Sequence, residues 1–229
     1  MFVTKAMTRK VFTVTPDDTL LNARELMKTQ KIHHVPVVDE GGKLVGIISD
    51  RDIRSAMPSS LYYEYGSEKE QEKLERFRVK DVMTANVVRL SLRDTIQDAL
   101  LLLLKYDIGA MPVVDDEGIL VGIVAIRDLL QALVTLLGIG QPGSLLCLLV
   151  DDHIGETKKI VDLIFEEKIP VGSLLAVRHW QPGKRAVFPY LMSKNLGPLK
   201  KKFQEHGYKI LDPVEWYLGD MERENQEEK

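Results

Sequence analysis

Pro36-Val37-Val38-Asp39, followed by Leu44-Val45-Gly46-Ile47-Ile48-Ser49-Asp50-Arg51-Asp52, decides how this chain is read, because the stretch occurs twice. Shifted by 76 residues it returns as Pro112-Val113-Val114-Asp115 and Leu120-Val121-Gly122-Ile123-Val124-Ala125-Ile126-Arg127-Asp128. Outward from it, with the same shift and no gap, Val3 falls on Val79, Met7-Thr8 on Met83-Thr84 and Asp18-Thr19 on Asp94-Thr95. Self-similarity at a fixed spacing marks a repeated structural unit. Two copies of one unit account for residues 1–138.

Both copies read alike. Val11 to Val14 alternates as a short strand does. Pro16-Asp17-Asp18-Thr19 turns into a helix near Leu20 to Thr29, with Leu20, Ala23 and Met27 on one face. His34 to Val38 and Leu44 to Ile48 are β-rich runs joined by Asp39-Glu40-Gly41-Gly42, a hairpin signal. A second helix begins after Ser49. The unit is strand–helix–strand–strand–helix. Leu100 to Leu104 is wholly apolar, so that helix is expected to be buried on most sides. A unit this small is marginal alone, so the copies are expected to pack face to face and share a core. Between them, residues 57–78 read as an exposed helical connector over Glu68 to Arg76. Tyr62, Tyr63 and Tyr65 there form either a binding patch or packing against the neighbouring unit.

Gln141-Pro142-Gly143 marks the next boundary. Leu145 to Val150 reads as a strand, Asp151 to Gly155 as a loop, and Glu156 to Glu167 as a helix with Ile160, Leu163 and Ile164 inward. Val171 to Val177 and Arg185 to Leu191 are strands around the turn Gln181-Pro182-Gly183-Lys184. Leu199 to His206 is a helix with Pro198 near its start and Gly207 ending it. Tyr208 to Leu211 closes a βαββαβ order, the ferredoxin-like plan. The α+β domain order is therefore 1–56, connector 57–78, 79–138, linker 139–143, 144–213 and an acidic tail 214–229.

Composition excludes other classes. The 229 residues are 45% hydrophobic and 28% charged, enough for a packed core. The net charge is −3, and the five acids and two bases of Asp220 to Lys229 account for all of it. That argues against bulk phosphate-backbone binding. Lys200-Lys201-Lys202 alone, without a stacking platform or helix-turn-helix signal, makes no nucleic-acid site. The single cysteine, Cys147, allows no internal disulfide and fits a reducing, cytoplasmic compartment. No signal peptide is visible at Met1 to Lys5. Leu129 to Val150 is uncharged, but Gly138, Gly140, Pro142 and Gly143 interrupt it, so no membrane span is expected.

The chemistry concentrates at Ser49-Asp50-Arg51-Asp52. A helix starting after Ser49 presents backbone N–H groups and a positive dipole end to a phosphate. Ser49 adds a hydroxyl donor, and Asp52, one turn in, can accept from both ribose hydroxyls. The same residues also spell a capping box, and spacing alone does not choose between the two. His33-His34 cannot grip one metal ion, because adjacent strand residues point to opposite faces; no metal site is expected. Cys147 lies in an apolar strand without activating neighbours. No nucleophile–base set, P-loop or zinc motif is present, so the chain reads as a non-enzyme.

The V-x-x-h-M-T opening, the h-P-V-V-D strand and the G-I-h-S-x-R-D close resemble tandem cystathionine-β-synthase (CBS) domains, a pair of which forms a Bateman module. That resemblance implies an adenosyl ligand: AMP, ADP, ATP, S-adenosylmethionine or NAD. One site would set Ser49, Asp52 and Ile47 against Val87, Ile108 and Gly109. A weaker one would set Asp128 against Val11, Ile32 and His33, because Ala125 replaces the serine. The His33 position carries a phosphate-contacting histidine in some members; a half-exposed structural histidine is the alternative. The third segment resembles an ACT domain, through Leu149-Val150-Asp151-Asp152-His153-Ile154-Gly155. Ile154 stands where that family carries proline. Asp152, His153, Ile154 and Gly155 are its ligand candidates, or an ordinary polar loop. Two CBS copies followed by an ACT domain is the plan of the acetoin-utilisation B family. The resemblance implies a regulator without obligatory cofactor, homodimeric and acting on a regulated protein that is not identified. A structural adaptor with vestigial sites is the rival reading.

Overall fold

A computed structural model describes residues 1–56 and 76–211. The connector with its three tyrosines, apart from its last residues, and the acidic tail lie outside the described residues. The chain divides into two compact units, Met1–Ala132 and Leu133–Lys229.

The first unit holds the repeat. In copy one, helix α1 (Leu20–Gln30) starts where the Thr19 hydroxyl accepts from Asn22 N at 3.1 Å and ends at Lys31 in the left-handed region. It buries Leu20, Ala23 and Met27, the i, i+3, i+7 stripe expected of it. Strands β1 (His34–Val38) and β2 (Leu44–Ser49) form the antiparallel hairpin, and helix α2 (Asp50–Ala56) follows directly. Copy two repeats this as β3 (Leu90–Ser91), α3 (Ile96–Tyr106), β4 (Ala110–Val114), β5 (Leu120–Ala125) and α4 (Ile126–Leu136). Thr95 and Asp98 cap α3 reciprocally, and Asp107 ends it, left-handed like Lys31.

Three expectations need correction. The strand read at Val11 to Val14 shrinks to one parallel bridge, Val14 to Val37, whereas its counterpart in copy two is the short strand β3. The leucine run is not buried on most sides. Helix α3 inserts Ile96, Ala99 and Leu103, but Leu101 and Leu104 stay 67% and 80% exposed because they project from the opposite face. Nor do the copies share one core. Each has its own, completed by the other's opening residues: Val3 and Met7 join Met111, Val113 and Leu129, while Val79 joins Leu20, Val35 and Ile48. The exchange is hydrogen-bonded, Val3 N to Asp94 O at 2.9 Å and Val79 N to Asp18 O at 2.8 Å.

In the second unit, β6 (Ser144–Leu145), β7 (Leu148–Asp151), α5 (Glu156–Glu166), β8 (Val171–Gln181), β9 (Lys184–Leu191), α6 (Gly197–Glu205) and β10 (Lys209–Ile210) follow in order. The antiparallel sheet runs β10-β7-β9, with β8 and β6 both paired to β9. Helices α5 and α6 bury Ile160, Ile164, Leu199 and Phe203 against Leu148, Val187 and Leu191. The strand read as Leu145 to Val150 is broken in two opposite Pro189, which accepts from Leu146 N at 3.1 Å but has no N–H to return. The division between units falls within α4 rather than at the glycine-rich linker. Ser173 Oγ donates to Leu137 O and the Tyr190 hydroxyl to Gln141 O, so the linker belongs with the second sheet.

Candidate functional site

The repeat builds its site from both copies. Ile47 in β2 exchanges backbone hydrogen bonds with Thr84 of copy two, N to O at 3.0 Å and O to N at 2.9 Å. A side chain at Gly46 would meet Met83 Sδ at 2.5 Å, so this close approach needs the glycine. The bridge carries Val87 toward the end of β2. The turn Asp107-Ile108-Gly109 leads into β4 and closes the other side. Gly109 is needed too, since a Cβ there would sit 2.8 Å from His34 Cε1. Between these elements lies a cavity of about 490 Å³, within the range of small-molecule sites. Ile47, Ser49, Asp52, Val87, Ile108 and Gly109, the six residues grouped from the sequence, all line it.

At its base Ser49 and Asp52 form the reciprocal capping box. Asp52 Oδ2 accepts from Ser49 N at 2.8 Å and from Ser49 Oγ at 2.7 Å, while Ser49 Oγ accepts from Asp52 N at 3.2 Å. Asp50 pairs with Arg54 at 3.2 Å and approaches His33 Nδ1 at 3.3 Å. Sequence reasoning did not assign the other polar lining residues, His34, Asp50, Arg51, Arg54, Thr84, Asn86 and Asp107, to this site. Arg51 and Arg54 are three apart on α2, a spacing that was readable. The repeat shift held a signal for His34, since it sets glycine in copy two beside the paired histidines of copy one.

Burial in the cavity wall lowers the His34 imidazole below its usual range; Asp50 and Asp52 oppose this, and His33 reinforces it. A folded-state pKa below the unfolded one gives stability that is full above the unfolded value near 6.5 and lost as pH falls through the folded one. The first unit is therefore expected to lose urea resistance on acidification from neutral pH. His34→Gln is expected to flatten that loss, which paired unfolding curves would show; an unchanged slope would remove His34 as its cause.

The CBS-domain family model matches residues 3–59 and 79–135. A CBS domain-containing protein of Dictyostelium discoideum is 36% identical over 144 residues, covering 63% of this chain and 99% of the relative. The chain belongs to the CBS-domain family. A structure from Vibrio cholerae, described as an acetoin utilization protein (AcuB), is 28% identical with a TM-score of 0.51, covering 61% of this chain and 95% of its own. The CBS-pair protein CBSX2 of Arabidopsis thaliana is 28% identical with a TM-score of 0.51, covering 58% and 94%. Inosine-5'-monophosphate dehydrogenase of Methanocaldococcus jannaschii is 37% identical over 123 residues, but the match covers 22% of that enzyme and 54% of this chain.

The CBS pair repeats the geometry at its second position. Thr8 and Ile123 exchange the same backbone bonds at 2.9 and 3.0 Å, and Ile126 N donates to Gly109 O as Asp50 N does to His33 O. Asp128 accepts from Ala125 N at 2.8 Å, half of the box that serine completes in copy one. Val11 and Ile32 are half-buried, with Ile32 packed on the copy-one core. The His33 side chain is 75% exposed.

In the C-terminal unit the loop candidates separate. Asp152 takes Arg185 Nε at 2.7 Å and a second bond from the Arg185 guanidinium, with Arg178 Nε at 3.7 Å from its other oxygen. It is thus committed to an internal ion pair. His153 and Ile154 are fully on the surface, and Gly155 caps α5 in the left-handed region. Glu156 is held below the usual carboxylate range, chiefly by Lys159 at 2.6 Å and further by the Tyr208 hydroxyl at 3.1 Å. Burial and Glu156 push that phenol up to about 12. Burial raises the Cys147 thiol, leaving it protonated at neutral pH. Among the described residues no group of side chains could hold a metal ion, and no helix is long and apolar enough to cross a membrane.

Proposed function

We propose that this CBS-domain protein is a ligand-sensing regulator that binds an adenosyl compound between its repeats. The observation that carries the reading is the cavity itself. Ser49 and Asp52 from one copy face Val87, Ile108 and Gly109 from the other, so an occupant touches both copies at once. A ligand that favours one arrangement of the copies over another shifts the equilibrium toward it. Asp52 supplies the ribose acceptor, and the apolar residues of copy two supply the walls for a base.

The ACT-like reading of the second unit rests on its βαββαβ order and on strands β10-β7-β9-β8 lying side by side. With Asp152 engaged by Arg185, dimer contact suits that domain better than capture of a small acid. A homodimer belongs to the same reading, as does a link to acetoin or related carbon metabolism through likeness to the Vibrio cholerae protein. One observation favours the adaptor alternative: Ser49 and Asp52 already satisfy each other.

Calorimetric titration with adenosine and its 5'-phosphates tests the choice. Losing a hydrogen bond to a charged group costs about 1.5–3 kcal/mol, so Asp52→Ala is expected to weaken adenosine binding roughly tenfold or more. Asp128→Ala is expected to matter less. Wild-type protein that binds no adenosyl compound would leave the adaptor.

A further inference from the structure

The repeat is close enough that each residue lining the cavity has a counterpart at the second position. The backbone supports that correspondence: the Ile47–Thr84 and Thr8–Ile123 bridges match, and Gly46 against Met83 matches Gly122 against Met7. Lys31 and Asp107 end equivalent helices with φ of 55° and 50°. The backbone conformation matches at these paired positions, but their charges differ.

The cavity beside Ser49 is lined by Asp50, Asp52 and Asp107 against Arg51 and Arg54, one negative charge in excess. Arg54 is already paired with Asp50. At the second position Lys31 replaces Asp107, Lys10 replaces Asn86 and Leu130 replaces Arg54. By the same correspondence Lys10, Lys31 and Arg127 would face Asp128 and Asp50, one positive charge in excess. His33 stands there in the place of Gly109. The serine difference does not offset this reversal, because the Ser49 hydroxyl is donated to Asp52 rather than held free for a phosphate.

We propose that the two inter-repeat sites take ligands of different charge: the Ser49 and Asp52 site a nucleoside without a polyphosphate, and the Asp128 site a polyphosphorylated nucleotide. This rests on the adenosyl reading above and assigns a ligand class to each site. A polyphosphate gains from net positive surroundings and is repelled by net negative ones. A nucleoside is indifferent to the sign and uses Asp52 and the apolar walls. The chain would then report two metabolite pools at once.

The probes are adenosine and ATP, titrated into the full chain in a chelating buffer, each alone and with the other saturating. The expected result is that neither displaces the other. Lys31→Asp is expected to weaken ATP on the order of tenfold or more while leaving adenosine unchanged. Asp107→Lys is expected to let ATP compete with adenosine. Both exchanges put at each helix end the residue its counterpart already carries in the same conformation, so both variants are expected to fold, which circular dichroism checks. ATP and adenosine competing for one site in the wild type would overturn the assignment, as would unchanged ATP affinity in Lys31→Asp. If neither probe binds the wild type, the adenosyl reading itself falls, an outcome distinct from a wrong assignment of sites.

Discussion

Phe203→Ala is expected to strip the C-terminal unit of a large share of its stability. Phe203 is wholly buried on α6, meets Tyr208 edge-on at 5.9 Å, and shares its core with Leu199 and Leu148. Truncating a buried phenylalanine costs about 3–5 kcal/mol, from lost transfer energy and the cavity left behind. A small domain holds roughly 5–15 kcal/mol in total, so one substitution removes a large share. Urea unfolding followed by far-UV circular dichroism should show a new transition at low denaturant. Ligand titration at the Ser49 cavity, which lies in the other unit, is the control. A single unshifted transition would mean that the packing around Phe203 is not as described.

The second large effect is expected at Asp152. Its side chain and that of Arg185 are each only 14% exposed. Removing one partner of a buried pair strands the other charge, at roughly 3–5 kcal/mol; the remaining exposure puts Asp152→Ala near the low end, about 3 kcal/mol. Arg178 cannot compensate, being itself cationic. Asp152→Asn keeps the shape and one acceptor and is expected to fall between. A thermal melt decides between two roles for this residue. If Asp152 is a ligand group rather than a structural one, the alanine variant melts like the wild type and only small-molecule binding changes.

Those two residues show what a sequence can and cannot reveal. Helix α1 was legible because its determinants are local: Thr19 caps it, and Leu20, Ala23 and Met27 repeat at helical spacing. The cavity was legible because the repeat showed two equivalent units, and family resemblance alone supplied the pairing of Ser49 and Asp52 with Val87, Ile108 and Gly109 of copy two. What escaped depends on distant partners. Asp152 looked available because Arg185 lies 33 residues away and nothing local announces the pair. Leu101 and Leu104 looked buried because composition says nothing about which face of a helix meets the core. Strand alternation separates His33 from His34 but does not say which one faces the other copy. That depends on the bare Cα of Gly109 lying under the His34 ring.

The exchange of opening segments, Val3 and Met7 into copy two and Val79 into copy one, bears on how such a protein can arise and assemble. A polypeptide carrying one copy would have a gap in its core that only another polypeptide's opening segment could fill, as in a domain-swapped pair. The duplicated chain is in effect that pair joined end to end, with the tether replacing dilution-sensitive encounter by a high effective concentration. Severing the tether should therefore make folding itself a bimolecular event. The tether also frees the halves to diverge, since mutations no longer act on both sites together as they must in a symmetric dimer.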